Sequence, residues 1–413
     1  MKKKVAFIVN SYGKDINGGV EQHARMLAER LVDNYDVEVL TTCVRNFYDG
    51  ENCLPEGEEW DNKVLIRRFK TEPEFPELFE EYTKKAKKIR RVRKHLYQLG
   101  LLRTIASAFP IWTGMSRKED QLMKSYAYYS PQLFRYITEN KDRYTAFIPI
   151  NISYPLAYYT SLYVPEKTIL IPTMHYESSS FRAIYTKVFT NVAYVAFNTL
   201  SEQRLAKGIF GNKMAPHGIV SVGVEEPAKV TWDITKKKYS LPDRYLLYVG
   251  RIERSKLNKI PSFYQKYIEK HPESNLKLIL VGGGITPPIK PPNIHYTGFV
   301  SDEEKVAIIQ HATVIVNPSK FESLSLILLE AMKQGKPMLV NGKCDVLKEH
   351  CINSDYAAWY YTGKKSFVKK LHQLVESEDL RKQMGEKGKR YVEENYNWPL
   401  IMGRLKAIIE KIN

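Results

Sequence analysis

The stretch TVIVNPSKFESLSLILLEAMKQGKPMLVNG (313–342) decides the fold. TVIVNP (313–318) is a short apolar run that ends at a proline. SLILLEAMKQ (325–334) is helix-like, and Gly335 and Pro337 close it. PMLVNG (337–342) then reads as a second buried strand. Two wholly apolar strands joined through a helix are the mark of a parallel sheet covered on both faces. Two carboxylates stand out, Glu322 before the helix and Glu330 inside it. Around a continuous helix their spacing corresponds to about 80°, so both can face one ligand at different depths. Taken alone, Glu330 also reads as a helix carboxylate paired with Lys333 or Lys336.

The same alternation runs along the chain. VAFIV (5–9), VEVLTT (37–42), AFIPI (146–150), TILIPT (168–173) and YVAFN (194–198) read as buried strands. YLLYVG (245–250) and LKLILVG (276–282) join the two strands above. Helical periodicity fills the intervals: Val20, Ala24, Leu27, Ala28 and Leu31 share one face. Two such series in 413 residues predict an α/β protein of two doubly wound, Rossmann-like domains. Residues 1–216 are expected to form the first and 241–398 the second. The Gly-, Pro- and charge-rich segment 217–240 reads as a linker. Pro399 marks a break before the last helix.

The net charge of +17 points to an anionic partner: nucleotide, nucleic acid or acidic membrane. The 4 cysteines are too few for a disulfide scaffold and lack a CxxC metal spacing, which suits a reducing cytoplasm. MKKKVAFIVNSYGKD imitates a signal peptide, but its apolar run is too short and no cleavage site follows. No run approaches the ~20 apolar residues of a membrane span. KKAKKIRRVRKHLYQLGLLRTIASAFPIW (84–112) stands apart. Ile89, Val92, Leu96 and Leu99 recur at three- and four-residue steps among cations, which predicts a basic amphipathic helix with an apolar continuation. Lys84, Lys85, Lys87, Lys88, Arg90, Arg91, Arg93 and Lys94 are then expected to dock on anionic lipid; the bland alternative is a solvated helix face. No nucleic-acid reader motif accompanies the charge, so no nucleic-acid partner is expected.

Three further loops are candidates for chemistry. Gly18 and Gly19 lie between the first strand and the first helix, where glycines admit a ligand to the backbone and the helix N-terminus favours an anion. The spacing is not GxGxxG, and a turn pair is the alternative. YVGRIERSKLN (248–258) places Arg251 and Lys256 after a buried strand, a fork donor and a point charge suited to a diphosphate. A solvated basic loop is its rival. His175, in IPTMHYESSSFR (171–182), follows another strand, where a reactive group or a structural histidine would both sit. The amides of Ser323, Leu324 and Ser325 are expected to start a helix and bind phosphate.

These pieces in this order resemble the retaining nucleotide-sugar glycosyltransferases of family 4, which have the GT-B fold. The matching residues are GGVEQHARMLAERL (18–31), VEVLTTC (37–43), MHYE (174–177), FNTLSEQRLAK (197–207), LYVGRIERSK (247–256), GFVSDEEK (298–305) and PSKFESLSLILLEAM (318–332). Glu322 and Glu330 resemble its E-x7-E motif. The resemblance implies two domains facing a central cleft and transfer of a hexose from a nucleoside diphosphate to a glycan or lipid-linked acceptor, as in cell-surface polysaccharide synthesis. It implies that Glu330 holds the ribose, and Glu322 the sugar hydroxyls. Arg251, Lys256 and the amides of Ser323, Leu324 and Ser325 would take the diphosphate. Gly18 and Gly19 would close over phosphate and sugar, and His175 would line the reaction centre. Gly298, Phe299 and Val300 would lie along the nucleobase. It implies no metal or other cofactor, and no DxD motif is apparent.

With that fold the last helix, 399–413, is expected to pack back on the first domain, and the enzyme to work in the cytoplasm at the inner membrane face. Tyr176 stands where many relatives have Asp, and Ser325 and Leu257 where glycine is frequent. A sugar-nucleotide binder without transferase activity is the alternative; intact Glu322, Glu330, Arg251 and Lys256 argue against it.

Overall fold

A computed structural model describes residues 2–13, 16, 18–45, 50–108, 112–225, 231–284 and 293–412. The chain forms two compact units. One is Met1–Val222 with Trp398–Asn413; the other is Gly223–Asn397.

The first unit holds β1 (Lys4–Ile8), β2 (Asp36–Thr42), β3 (Gly57–Asp61), β4 (Val64–Phe69), β5 (Ala146–Pro149), β6 (Ile169–Leu170), β7 (Tyr194–Phe197) and β8 (His217–Ile219). Their order is β3-β4-β2-β1-β5, with β6-β7-β8 as a second sheet. Only β3 runs antiparallel among these paired strands. Parallel bridges Phe147–Thr168 and Ile150–Ile171 continue the pairing from β5 toward β6. Val5, Phe7 and Ile8 are wholly buried because helices cover both faces of β1. Strand order reverses at β1, so the loops after β1 and β5 flank a crevice at the carboxyl edge.

The second unit is one parallel sheet, with β9 (Tyr245–Val249), β10 (Lys277–Val281), β11 (Ile294–Gly298), β12 (Val314–Asn317), β13 (Met338–Asn341) and β14 (Ala358–Tyr361). The order is β11-β10-β9-β12-β13-β14. Leu247 of β9 stands opposite Ile279 on one side and Ile315 on the other. The order reverses between β9 and β12. The α/β class with two doubly wound units is therefore the observed one.

Segment 217–240 contains more structure than a linker. β8 occupies its start, a helix at Trp232–Tyr239 its end, and the division between units falls after Val222. Residues 226–230 lie outside the described residues, as does Asn17 of the glycine loop. The helix Trp398–Ile409 belongs to the first unit. There the Arg30 guanidinium lies 3.7 Å over the Trp398 ring, and Tyr35 donates to Glu410 at 2.7 Å.

The basic segment departs from expectation. A helix spans Phe79–Gln98, but its buried face is Tyr82, Ala86, Ile89, Arg90 and Arg93. Arg93 is fully buried: Nε donates to the Phe181 carbonyl at 3.0 Å, and the guanidinium lies 4.7 Å over Trp112. Arg90 donates to the Thr83 carbonyl. Neither arginine can meet lipid; of the apolar stripe, Ile89 is buried whereas Val92 and Leu99 are exposed. Leu102, Ala106 and Trp112 of the apolar continuation lie in the core of this unit. Tyr82 and Ala86 pack with Leu122 of the helix Thr113–Lys124, while Arg93 reaches Phe181, Thr186 and Trp112, so the buried face is not the purely apolar stripe.

Candidate functional site

In the second unit the two loops at the strand reversal carry most of the candidates. After β9 the chain turns through Gly250, with Gly250 N–H bonded to Val281 O and Ile252 N–H to Gly283 O. Arg251 is exposed on this turn, its Nη2 3.8 Å from Glu253 Oε1. Lys256 follows on the short helix Arg254–Leu257. The loop after β12 lies beside it: Asn258 Nδ2 reaches the Pro318 carbonyl at 3.4 Å. Tyr248, whose hydroxyl donates to Arg251 O at 2.8 Å, is pushed up by burial and then by the Glu322 and Glu253 carboxylates. The structure thus brings Arg251 and Glu322 to one edge of one sheet.

The helix falls within SLILLEAMKQ (325–334). It spans Leu326–Lys333, with Ser325 as N-cap at φ 76° and ψ 75°. Ser323, Leu324 and Ser325 therefore precede the helix rather than form its first turn, and the angular spacing for one continuous helix does not apply to Glu322. Left-handed backbone at a serine is uncommon. Buried side chains hold it. Asn317 Oδ1 accepts from Ser319 N–H at 2.9 Å, which orients the amide so that Nδ2 donates to Ser325 Oγ at 2.9 Å. The Ser325 hydroxyl proton is then available to another acceptor. Asn341 Nδ2 donates to Pro318 O at 3.0 Å. Gly335 closes the helix at φ 65°. Its N–H bonds Met332 O and that of Lys336 bonds Ala331 O, as a glycine C-cap requires.

Glu330 points from this helix to Lys305, 3.1 Å away, and not to Lys333 or Lys336. Lys305 comes from the helix Asp302–His311, which a Ser301–Glu304 capping box starts. Sequence reasoning missed it because the pair is 25 residues apart. Gly298 ends β11 at φ 76°, and Phe299, 73% exposed, lies against Gly283, where an added Cβ would stand 2.2 Å from its ring. Val300 follows, half-buried.

In the first unit, Gly18 caps the helix Gly19–Leu31. A Cβ at Gly18 would stand 1.9 Å from Glu21 Oε2, so that flexible side chain would have to swing aside; at Gly19 the space is open. His175 lies beyond β6, half-buried, with Nδ1 3.6 Å from Glu177 Oε2 and its carbonyl accepting from Ser180 Oγ at 2.7 Å. Its neighbour Tyr176 is tied to the basic helix: Gln98 donates to its hydroxyl at 3.1 Å and Lys94 lies 4.3 Å over its ring. Glu202 fixes the start of this loop. Fully buried, it accepts from Met174 N–H at 2.5 Å and Asn198 N–H at 2.7 Å. Thr199, three residues before, accepts from Glu202 N–H, so the T-x-x-E signature of a helix start was its sequence signal.

Residues 232–391 match the family model of glycosyl transferases group 1. That stretch contains Arg251, Lys256, Glu322 and Glu330. An uncharacterized glycosyltransferase of Methanocaldococcus jannaschii is 26% identical over 179 residues, 40% of this chain and 45% of that protein. The matched region thus spans under half of that curated relative. Sucrose-phosphate synthase from Thermosynechococcus elongatus aligns over 100% of this chain and 99% of its own, with TM-score 0.66 and 13% identity. Anabaena HepE, solved in complex with UDP and glucose, aligns over 99% of both chains, with TM-score 0.64 and 12% identity. These likenesses show the GT-B fold. No group of three or more His, Cys, Asp or Glu suited to a metal ion occurs among the described residues. None of the described helices is long and apolar enough to cross a membrane.

Proposed function

We propose that the chain is a retaining glycosyltransferase of family 4 that moves a hexosyl group from a nucleoside-diphosphate sugar to a glycan or lipid-linked acceptor in cell-surface polysaccharide synthesis. One observation carries this reading. The loops after β9 and β12, on either side of the strand reversal, present two cations and the Glu322 loop on one sheet edge. Open α/β sheets bind ligands at that place.

The chemistry follows from charge. Breaking the bond from the anomeric carbon to the phosphate oxygen leaves negative charge on the diphosphate and positive charge on the sugar ring. Arg251, Lys256, the amides of Ser323, Leu324 and Ser325 and the Ser325 hydroxyl are assigned to the diphosphate. Glu330, steadied by Lys305, is assigned to the ribose hydroxyls, and Glu322 to hydroxyls of the transferred sugar. Phe299, with Gly298 and Val300, is assigned to the nucleobase. Gly18 and Gly19 follow β1 and His175 follows β6 in the first unit, and all three are assigned to ligand contact. The departing phosphate oxygen assists deprotonation of the acceptor at the same face, which retains the anomeric configuration. Glu322 is then not a nucleophile. Fixed cations and amides do the neutralising, so the scheme uses no metal, and turnover should survive EDTA.

We place the enzyme in the cytoplasm at an anionic membrane face. Lys84, Lys85, Lys87, Lys88 and Arg91 remain exposed on the basic helix beside Val92 and Leu99. Each cation near such a surface contributes about 1 kcal/mol. A thermal-shift screen of nucleoside diphosphates and their sugars tests the reading, since a ligand of the folded state raises the midpoint. Silence toward every nucleotide would refute it. Full turnover by Glu322→Ala would refute the role of that carboxylate.

A further inference from the structure

His350 is fully buried on the helix Asp345–Asn353 and reaches the loop before the Leu326–Lys333 helix. Its Nε2 lies 2.8 Å from the Leu324 carbonyl. A carbonyl oxygen only accepts, so Nε2 carries the hydrogen. Nδ1 lies 3.0 Å from the Tyr391 hydroxyl, and that hydroxyl lies 3.3 Å from the hydroxyl of Tyr396. Burial pulls the imidazole down to about 4, so at neutral pH Nδ1 is bare and accepts from Tyr391. Tyr391 in turn accepts from Tyr396. The buried chain runs in one direction, from Tyr396 to Tyr391 to His350 to Leu324.

The consequence lies in the next peptide. There are no cis peptides among the described residues. In a trans peptide the N–H points opposite to the carbonyl of the preceding residue. With the Leu324 carbonyl held on the buried imidazole, the Ser325 N–H is aimed away from His350. Among the described residues that N–H meets no acceptor. Ser325 is 6% exposed, so an N–H left without a partner there is costly and points to a ligand atom.

We propose that His350 is a positioning residue for the donor diphosphate: it holds the Leu324 carbonyl so that the Ser325 N–H faces the phosphate, and Tyr391 fixes the tautomer that does so. This rests on the donor-binding reading above. The general tool is the second layer of hydrogen bonds that orients a contact residue.

The test compares His350→Gln, which keeps an N–H donor at similar reach, with His350→Met, which fills the space without one, and Tyr391→Phe. Three measurements are made. Ring-nitrogen NMR of the ligand-free wild type should show the Nε2–H tautomer at pH 7; an Nδ1–H tautomer or an imidazolium would overturn the proposal. Amide exchange over 322–326 in ligand-free protein should quicken about tenfold or more in His350→Met, and less in Tyr391→Phe. Titration with UDP, GDP and ADP should show about tenfold weaker binding for His350→Met, largely recovered in His350→Gln. Equal defects in the Gln and Met variants would mean that shape alone matters and would sink the idea, as would wild-type exchange in His350→Met. If His350→Met fails to fold, the tautomer and the exchange in Tyr391→Phe still decide. If the wild type binds none of the three nucleotides, the functional reading fails, while the tautomer and exchange results still judge His350.

Discussion

Lys305 Nζ lies 3.1 Å from Oε1 of Glu330 and 3.1 Å from Oδ1 of Asp302. Burial opposes the charge on Lys305, yet the two carboxylates hold its ammonium above the ordinary lysine range. The pair sets where the Glu330 carboxylate sits. Lys305→Met should weaken nucleoside-diphosphate binding about tenfold, and Glu330→Ala by about a hundredfold, since hydrogen bonds to charged groups are among the stronger ones. In the Glu330→Ala background Lys305→Met should add little. Calorimetric titration of the four proteins checks this; full independence of the two substitutions would contradict it.

Ser325 is held at φ 76° with its hydroxyl accepting from Asn317. Glycine there relieves the left-handed strain but leaves the Asn317 amide donor without its partner. Ser325→Gly should therefore change stability by less than about 1 kcal/mol. Ser325→Ala keeps the strain and loses the bond, so it should cost about 1–3 kcal/mol. Urea unfolding of both variants gives the order. An alanine variant as stable as the glycine variant would show that the left-handed strain does not matter.

Arg93 and Arg91 are two residues apart and belong to different environments, one fully buried and one exposed. Arg93→Ala removes a buried stem and its bonds to Phe181 and Thr186, and should destabilise the first unit by about 2–4 kcal/mol. Its folded fraction should still float with anionic vesicles. The triple change of Lys87, Lys88 and Arg91 to Gln should keep stability within about 0.5 kcal/mol and remove flotation at low salt. Flotation that persists in the triple variant, or that ignores salt, would rule out the basic face.

Acid should weaken the second unit through His350. Burial lowers it from 6.5 in the unfolded chain to about 4. Between those values the unfolded state binds more protons, so stability is full above about pH 6.5 and falls as the pH drops toward 4. The loss amounts to about 3 kcal/mol at most. His350→Gln should flatten this part of the profile. In the first unit Glu119 and Glu202, pushed by burial up to about 7 and about 8, oppose the same effect at His23. Urea melts between pH 4 and 7, comparing wild type with His350→Gln, provide the measurement. An identical slope in both would discard this assignment.

The central strands were legible because helices cover both faces, which demands continuous apolar runs such as VAFIV and LKLILVG. The edge strands were not. β11, IHYTG, is half-buried up to its exposed last residue, and β3, GEEWD, is almost wholly exposed, so neither shows that run. The helix after Glu322 lies where SLILLEAMKQ (325–334) put it, at Leu326–Lys333 with Ser325 as N-cap, but the form of the loop ahead of it was not legible. Asn317 and His350 hold that loop, and neither contact is local.

What the sequence by itself determined is the alternation of strands and helices, the glycine stop at Gly335, and which residue types stand at the carboxyl ends of the central strands. Those depend on periodicity and on neighbours a few residues away. Only the tertiary structure decided that Glu330 meets Lys305, that Arg90 and Arg93 turn inward, and that His350 holds Leu324. Each joins elements whose relative rotation is set by packing, and side-chain period alone does not encode that rotation. In the basic helix the long aliphatic stems of arginine let charged residues occupy a packed face, so a cation in the sequence did not mean a cation in solvent.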